Sequence, residues 1–145
     1  MAKERTPYAT GPLLNMGTIN AAYTVLQSDS SKVFMLDGGP YDITLPAAAD
    51  LQEGWYCKFV VREANPAGDI EIAAGSAIVD ITMLDSGTGT DNTQHSNSTA
   101  GTAKSSIFIH TEAVQGDYVN VFTDGSTYYF EAMSCIDDAI DHTEQ

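Results

Sequence analysis

Positive charge is scarce in this chain: six Lys and Arg stand against twenty Asp and Glu in 145 residues, a formal charge of −14 at pH 7. A surface that binds nucleic acid irrespective of sequence needs a basic footprint to neutralise phosphates, and anionic lipid makes the same demand. Neither nucleic acid nor a membrane is therefore expected as a partner. No apolar run approaches the roughly 20 residues that cross a bilayer. The opening MAKERTPYATGPLL also lacks the apolar core of a secretory signal. A soluble product made in a cytoplasm is expected. There are only two cysteines, Cys57 and Cys135, each within or beside an apolar stretch. Buried thiols are the expectation in a reducing compartment, and spacing alone does not decide whether they pair.

Signatures of chemistry are missing as well. The chain has no Cys-x-x-Cys, and His95, His110 and His142 share no ligand spacing, so no metal is expected. Asp85 to Asp91 (DSGTGTD) lacks the alternating acids and closing Glu of a calcium loop. Nucleophile elbows, phosphate-binding loops and dinucleotide fingerprints are absent. The expectation is no catalytic residue, no cofactor and no enzymatic activity.

What is present is short-period hydrophobicity. Tyr23–Gln27, Lys32–Leu36, Tyr41–Leu45, Trp55–Arg62, Asp69–Ala73, Ile78–Leu84, Ser106–Thr111, Asp117–Thr123 and Thr127–Met133 alternate or cluster apolar residues between turn signals. Pro46 ends the third of these, because proline cannot donate to a ladder. Asp124-Gly125-Ser126 joins the last two as a hairpin, Gly125 supplying a positive φ at little cost. At most one helical turn is expected, around Ala47–Leu51. These features predict an all-β fold, an antiparallel sandwich or a jelly-roll-like barrel. It is expected to occupy residues 21–136, between a turn-punctuated extended arm (1–20) and a short acidic tail (137–145) that frays.

Three further features bear on partners. Residues 1–62 carry five cations against six acids, whereas residues 63–145 carry Lys104 alone against fourteen. That asymmetry predicts one near-neutral and one acidic face. Residues 85–105 contain no Val, Ile, Leu, Met or aromatic residue, as expected of a surface loop or one that orders against another subunit. Tyr128 and Tyr129 are consecutive on a strand and must point to opposite faces, so an aromatic from this pair is a candidate surface or interface group.

The run from Asp29 to Gly38 (DSSKVFMLDG), followed by Tyr41 to Ala47 (YDITLPA), resembles an opening "D-S-G-K-V-F-x-L-D-G … T-L-P-A". It recurs in small β-rich structural proteins of tailed bacteriophages. Gly116-Asp117-Tyr118-Val119 and Thr123 to Tyr129 (TDGSTYY) resemble the close of the same proteins. Ser31 stands where that pattern has Gly. The resemblance implies a non-enzymatic virion protein on the capsid surface: a decoration or cement subunit that binds the phage major capsid protein, expected as a homotrimer. A chain built around one domain suits a protein added to a finished shell. Lys3, Arg5, Tyr8, Leu13 and Leu14 of the arm are then the candidate docking residues. The alternative is a tail or fibre module that binds host-surface glycans through exposed aromatics.

Overall fold

The computed structural model describes residues 15–63, 67–85, 94–96, 104–136 and 139–141. Among these residues eleven strands follow one another: β1 (Asn15–Ile19), β2 (Tyr23–Thr24), β3 (Lys32–Leu36), β4 (Tyr41–Thr44), β5 (Tyr56–Val61), β6 (Ile70–Asp85), β7 (Gln94–Ser96), β8 (Lys104–Ile109), β9 (Tyr118–Thr123), β10 (Tyr128–Ser134) and β11 (Ile140–Asp141). Single helical turns at Gln27–Asp29 and Ala48–Asp50 are the helical elements among the described residues.

The strands form a sandwich of two mixed sheets. Sheet I runs β1-β3-β5-β9-β10, and sheet II comprises β2, β4, the first half of β6, β8 and β11. The long β6 belongs to both: Ile70–Ala73 pairs with β4 and β8, and from Ile78 onward it runs parallel to β10. The expected all-β sandwich is thus present. Its sheets are mixed instead of antiparallel throughout, and no barrel closes among the described residues.

The parallel pairs have a simple origin. Up to β6, consecutive strands alternate between the sheets, so the chain winds as three stacked coils. β1, β3 and β5 lie parallel on one side (Gly17 beside Phe34 beside Phe59), and β2, β4 and β6 lie parallel on the other (Tyr23 beside Ile43 beside Ile72). Parallel neighbours need a long crossover, and here the crossover is the strand in the opposite sheet. The C-terminal strands then close the winding in antiparallel fashion, β9–β10 as a hairpin on sheet I and β8 on sheet II.

Alternation along each strand sends one set of side chains into the core. Phe34, Phe59, Val121 and Phe130 enter from sheet I, and Ile43, Ile72 and Ile107 meet them from sheet II. Phe34 and Phe59, cross-strand neighbours, stack with ring centres 5.4 Å apart. Buried polar groups are satisfied at the seams: the Tyr41 hydroxyl donates to the Ile19 carbonyl (3.0 Å) and the Trp55 indole to the Gln27 carbonyl (3.0 Å). Asp29 is buried where β2 turns toward β3. Its carboxylate accepts from the Leu26 amide (2.9 Å), Lys32 (2.9 Å) and the Tyr23 hydroxyl (3.1 Å). Burial opposes its charge, but these donors prevail and hold its pKa below the ordinary value.

The sandwich extends past residues 21 and 136 toward both chain ends. The stretch read as an arm contains β1, whose Ile19 is core, so residues 15–19 belong to the sandwich. The expected fraying tail contains Ala139 and Ile140, both buried, with β11 paired to β8. In each case a two- to five-residue strand was too short to show a period.

Candidate functional site

The two outer faces differ in chemistry. On sheet II the outward positions of adjacent strands are Asp42, Glu71, Phe108 and Asp141 in one row, and Thr24, Thr44, Ala73 and Ser106 in the next. No Lys or Arg occurs among the described side chains of this face. Glu71 accepts a hydrogen bond from Ser106 (2.5 Å). Asp42, Asp69, Glu71, Phe108 and Thr111 line an open cleft of about 510 Å³.

Just beyond β8, His110 is buried between two carboxylates. Its Nε2 lies 3.1 Å from Asp141 and its Nδ1 3.0 Å from Asp69, the second contact at ion-pair distance without hydrogen-bond alignment. Burial disfavours the imidazolium, but the paired carboxylates outweigh it and raise the pKa above the ordinary 6.5. His110 therefore clips β11 to the loop before β6. A raised folded-state pKa means that this clip contributes most where the unfolded histidine is also protonated, and its contribution fades as pH rises through the folded value. The denaturation midpoint of the protein is expected to fall as pH rises from below ~6.5 into the mildly alkaline range. Urea titrations should show this slope flattened in His110→Gln.

Sheet I presents the opposite character. Met16, Tyr56, Phe122 and Met133, at 56%, 44%, 46% and 42% exposure, all lie on its outer face. Register groups the outward residues into three rows running across the strands. Tyr56, Phe122 and Tyr129 form one row; Lys58, Asn120 and Glu131 form the middle one; and Val60, Tyr118 and Met133 form the third, with Val33 and Met35 extending the last two onto β3. Phe122 and Tyr129 stack, ring centres 5.1 Å apart. Lys58 Nζ sits 3.6 Å from the Tyr118 ring centre, and Asn120 donates to Glu131 (2.9 Å). The one cation and one anion of these rows are thus flanked on both sides by apolar rows. Scattered apolar exposure is ordinary, but a contiguous apolar sheet face marks a contact surface.

The sequence-derived candidates fare differently. Lys3, Arg5, Tyr8, Leu13 and Leu14 lie outside the described residues, as does most of the 85–105 stretch. β7 falls within that stretch, pairing Gln94–Ser96 with β6. Tyr129 faces outward on sheet I. Tyr128 is not a surface group. It is fully buried, its ring edge-on to Trp55 at 6.3 Å and its hydroxyl donating to the Pro46 carbonyl (2.7 Å). Burial drives the phenol pKa far up. Cys57 is buried, with its thiol pKa raised strongly by burial, whereas Cys135 is exposed instead of buried as expected, and no disulfide joins them. The charge asymmetry is real but divides by sheet, not by sequence half, because sheet I takes strands from both halves.

Phe122, Tyr56, Val60 and Met133 escaped the sequence reading. Their signal was alternation in which the outward position, too, is apolar, as in Tyr56-Cys57-Lys58-Phe59-Val60. Among the described residues, no group of three His, Cys, Asp or Glu side chains is arranged to hold a metal ion. No helix among them is long and apolar enough to cross a membrane. No family model, curated protein or solved structure matches this chain. The resemblance to phage structural proteins therefore rests on its own turn and strand-start residues.

Proposed function

We propose that this chain is a non-enzymatic virion structural protein, a decoration subunit that adds to the outer surface of a phage capsid lattice and stabilises the head. The observation that carries the reading is the apolar outer face of sheet I set against the acidic outer face of sheet II. Such a sandwich gains by covering one face with protein while leaving the other in water. Carboxylates on the outward sheet keep assembled particles mutually repulsive and soluble. Lys3, Arg5, Tyr8, Leu13 and Leu14, before β1, are the residues proposed to reach the major capsid protein.

The alternative, a tail or fibre module binding glycans through exposed aromatics, loses Tyr128, which is buried, and keeps Tyr129.

The test is to add purified protein to expanded heads that lack it. Wild-type protein is expected to saturate the heads and raise their resistance to heat. Phe122→Asp, checked for native circular dichroism, is expected to bind at least about tenfold more weakly, since a desolvated carboxylate at such a contact costs more than 1.4 kcal/mol. Wild-type protein that fails to bind the heads would overturn the reading, whereas equal occupancy by the variant would remove sheet I from the contact with the shell.

A further inference from the structure

The charge pattern on sheet I identifies what covers it. We infer that the outer face of sheet I packs against the same face of a second copy, about a two-fold axis running along β9. The inference rests on the reading of this face as a contact surface and names its occupant.

The middle row of the face reads Lys58 on β5, Asn120 on β9 and Glu131 on β10. An axis parallel to β9, lying between two facing sheets, leaves each row at its own height and exchanges left for right. β9 then lies over β9 of the copy, and β5 lies over β10. Lys58 of each chain meets Glu131 of the other, giving two ion pairs from one symmetry operation, with Asn120 at the centre. Within one chain β9 holds these two side chains apart, Lys58 resting on Tyr118 and Glu131 accepting from Asn120, so the opposite charges can meet only between copies.

The flanking rows obey the same operation. Phe122 and Tyr118, both on β9, each meet their own equivalent. Tyr56 meets Tyr129, and Val60 meets Met133, so every apolar outward residue of the three central strands lands on another apolar residue. Displacing the axis onto β5 or β10 would set Lys58 or Glu131 against its own copy, a like-charge contact. The pattern is isologous, which closed two-fold dimers require. Aligned packing of two twisted sheets supplies the usual geometry for such a contact.

The area sets the strength. The three strands that overlap, at about 4.8 Å spacing, and five residues at about 3.3 Å rise span roughly 240 Å² in projection. That is far below about 800 Å² per partner for a stable complex, so weak dissociation, at the high end of the micromolar range, is expected. A lattice that holds copies side by side would complete the pairing through local concentration. The symmetry is two-fold, in place of the trimer that the resemblance implies.

Sedimentation equilibrium on the full chain, from low to high micromolar concentration, tests this. The expected result is reversible dimerisation toward twice the 15.5 kDa chain mass. Lys58→Glu and Glu131→Lys should each weaken association by roughly tenfold or more, through like-charge contacts. The double swap Lys58→Glu/Glu131→Lys should restore it, which no effect confined to one chain would do. A monomer throughout the range, a trimeric mass, or a double swap no better than the single ones would overturn the inference. Head binding separates the two proposals: a monomer that still decorates heads removes only the two-fold pairing, and a dimer that never binds heads removes only the decoration reading.

Discussion

Tyr128→Ala is expected to destabilise the sandwich by about 3–5 kcal/mol, the usual cost of removing a buried aromatic ring. For a domain whose whole stability is of order 5–15 kcal/mol, that leaves a protein near its unfolding threshold. The ring is fully buried, contacts Trp55 and Phe130 edge-on, and stands where β10 meets the loop after β4. Its hydroxyl caps the Pro46 carbonyl, so alanine opens a void and also strips an acceptor of its donor. Tyr128→Phe keeps the ring and loses the donor alone, and is expected to cost about 1–2 kcal/mol. Urea denaturation of both variants checks the pair. Near-equal losses would mean that the hydroxyl outweighs the ring, contrary to the packing account.

Asp117→Ala is expected to cost about 2–4 kcal/mol without touching a single apolar contact, the sum of two amides left without acceptors. Asp117 is buried. One carboxylate oxygen accepts from the Val114 amide (2.8 Å), closing the turn before β9, and the other from the Cys135 amide (3.0 Å), at the end of β10. Asp117→Asn keeps one acceptor but turns an NH₂ group toward the other amide, so it should fall between wild type and alanine. Amide hydrogen exchange localises the effect: protection at Val114 and Cys135 should drop first. Uniform loss across the chain would point to global destabilisation alone.

These two residues also show what the sequence carried. Gly116-Asp117-Tyr118-Val119 was legible as a motif before its role was. Gly116 has φ of +101°, Asp117 clamps two chain segments, Tyr118 faces outward beneath Lys58, and Val119 enters the core. Asp124-Gly125-Ser126 was legible as a hairpin turn, with Gly125 at φ +87° and Asp124 accepting from the Ser126 and Thr127 amides (2.8 Å each). Those bonds, with the Ser126 hydroxyl first among them, hold the Asp124 carboxyl down at about 2. Ser31, standing where the phage pattern has Gly, adopts φ +68°, the left-handed conformation that glycine takes without strain. The motif residues are thus turn and clamp residues, and any β protein with the same turns would select them.

Strand positions were legible because Lys32–Leu36, Tyr41–Thr44 and Tyr118–Thr123 alternate strongly. Pairing was not. The coil β1-β2-β3 repeats in space with turns of unequal length, so no period recurs in the sequence, and each parallel partner lies one whole coil away. β6 read as two strands because Ala73 to Ala77 is small and weakly patterned where the strand crosses between sheets. The site stayed hidden for a related reason. Residues such as Val60 and Phe122 belong by type to a core, and only register shows that they line the outside, side by side across neighbouring strands.

Cryo-electron microscopy of purified particles bears most directly on the central claim that sheet I is the covered face of a capsid decoration protein. The account predicts many copies ordered on the head, sheet I buried in protein and the acidic face of sheet II toward solvent. Copies confined to the tail, or heads decorated with Phe122 and Met133 in water and sheet II against the shell, would contradict it.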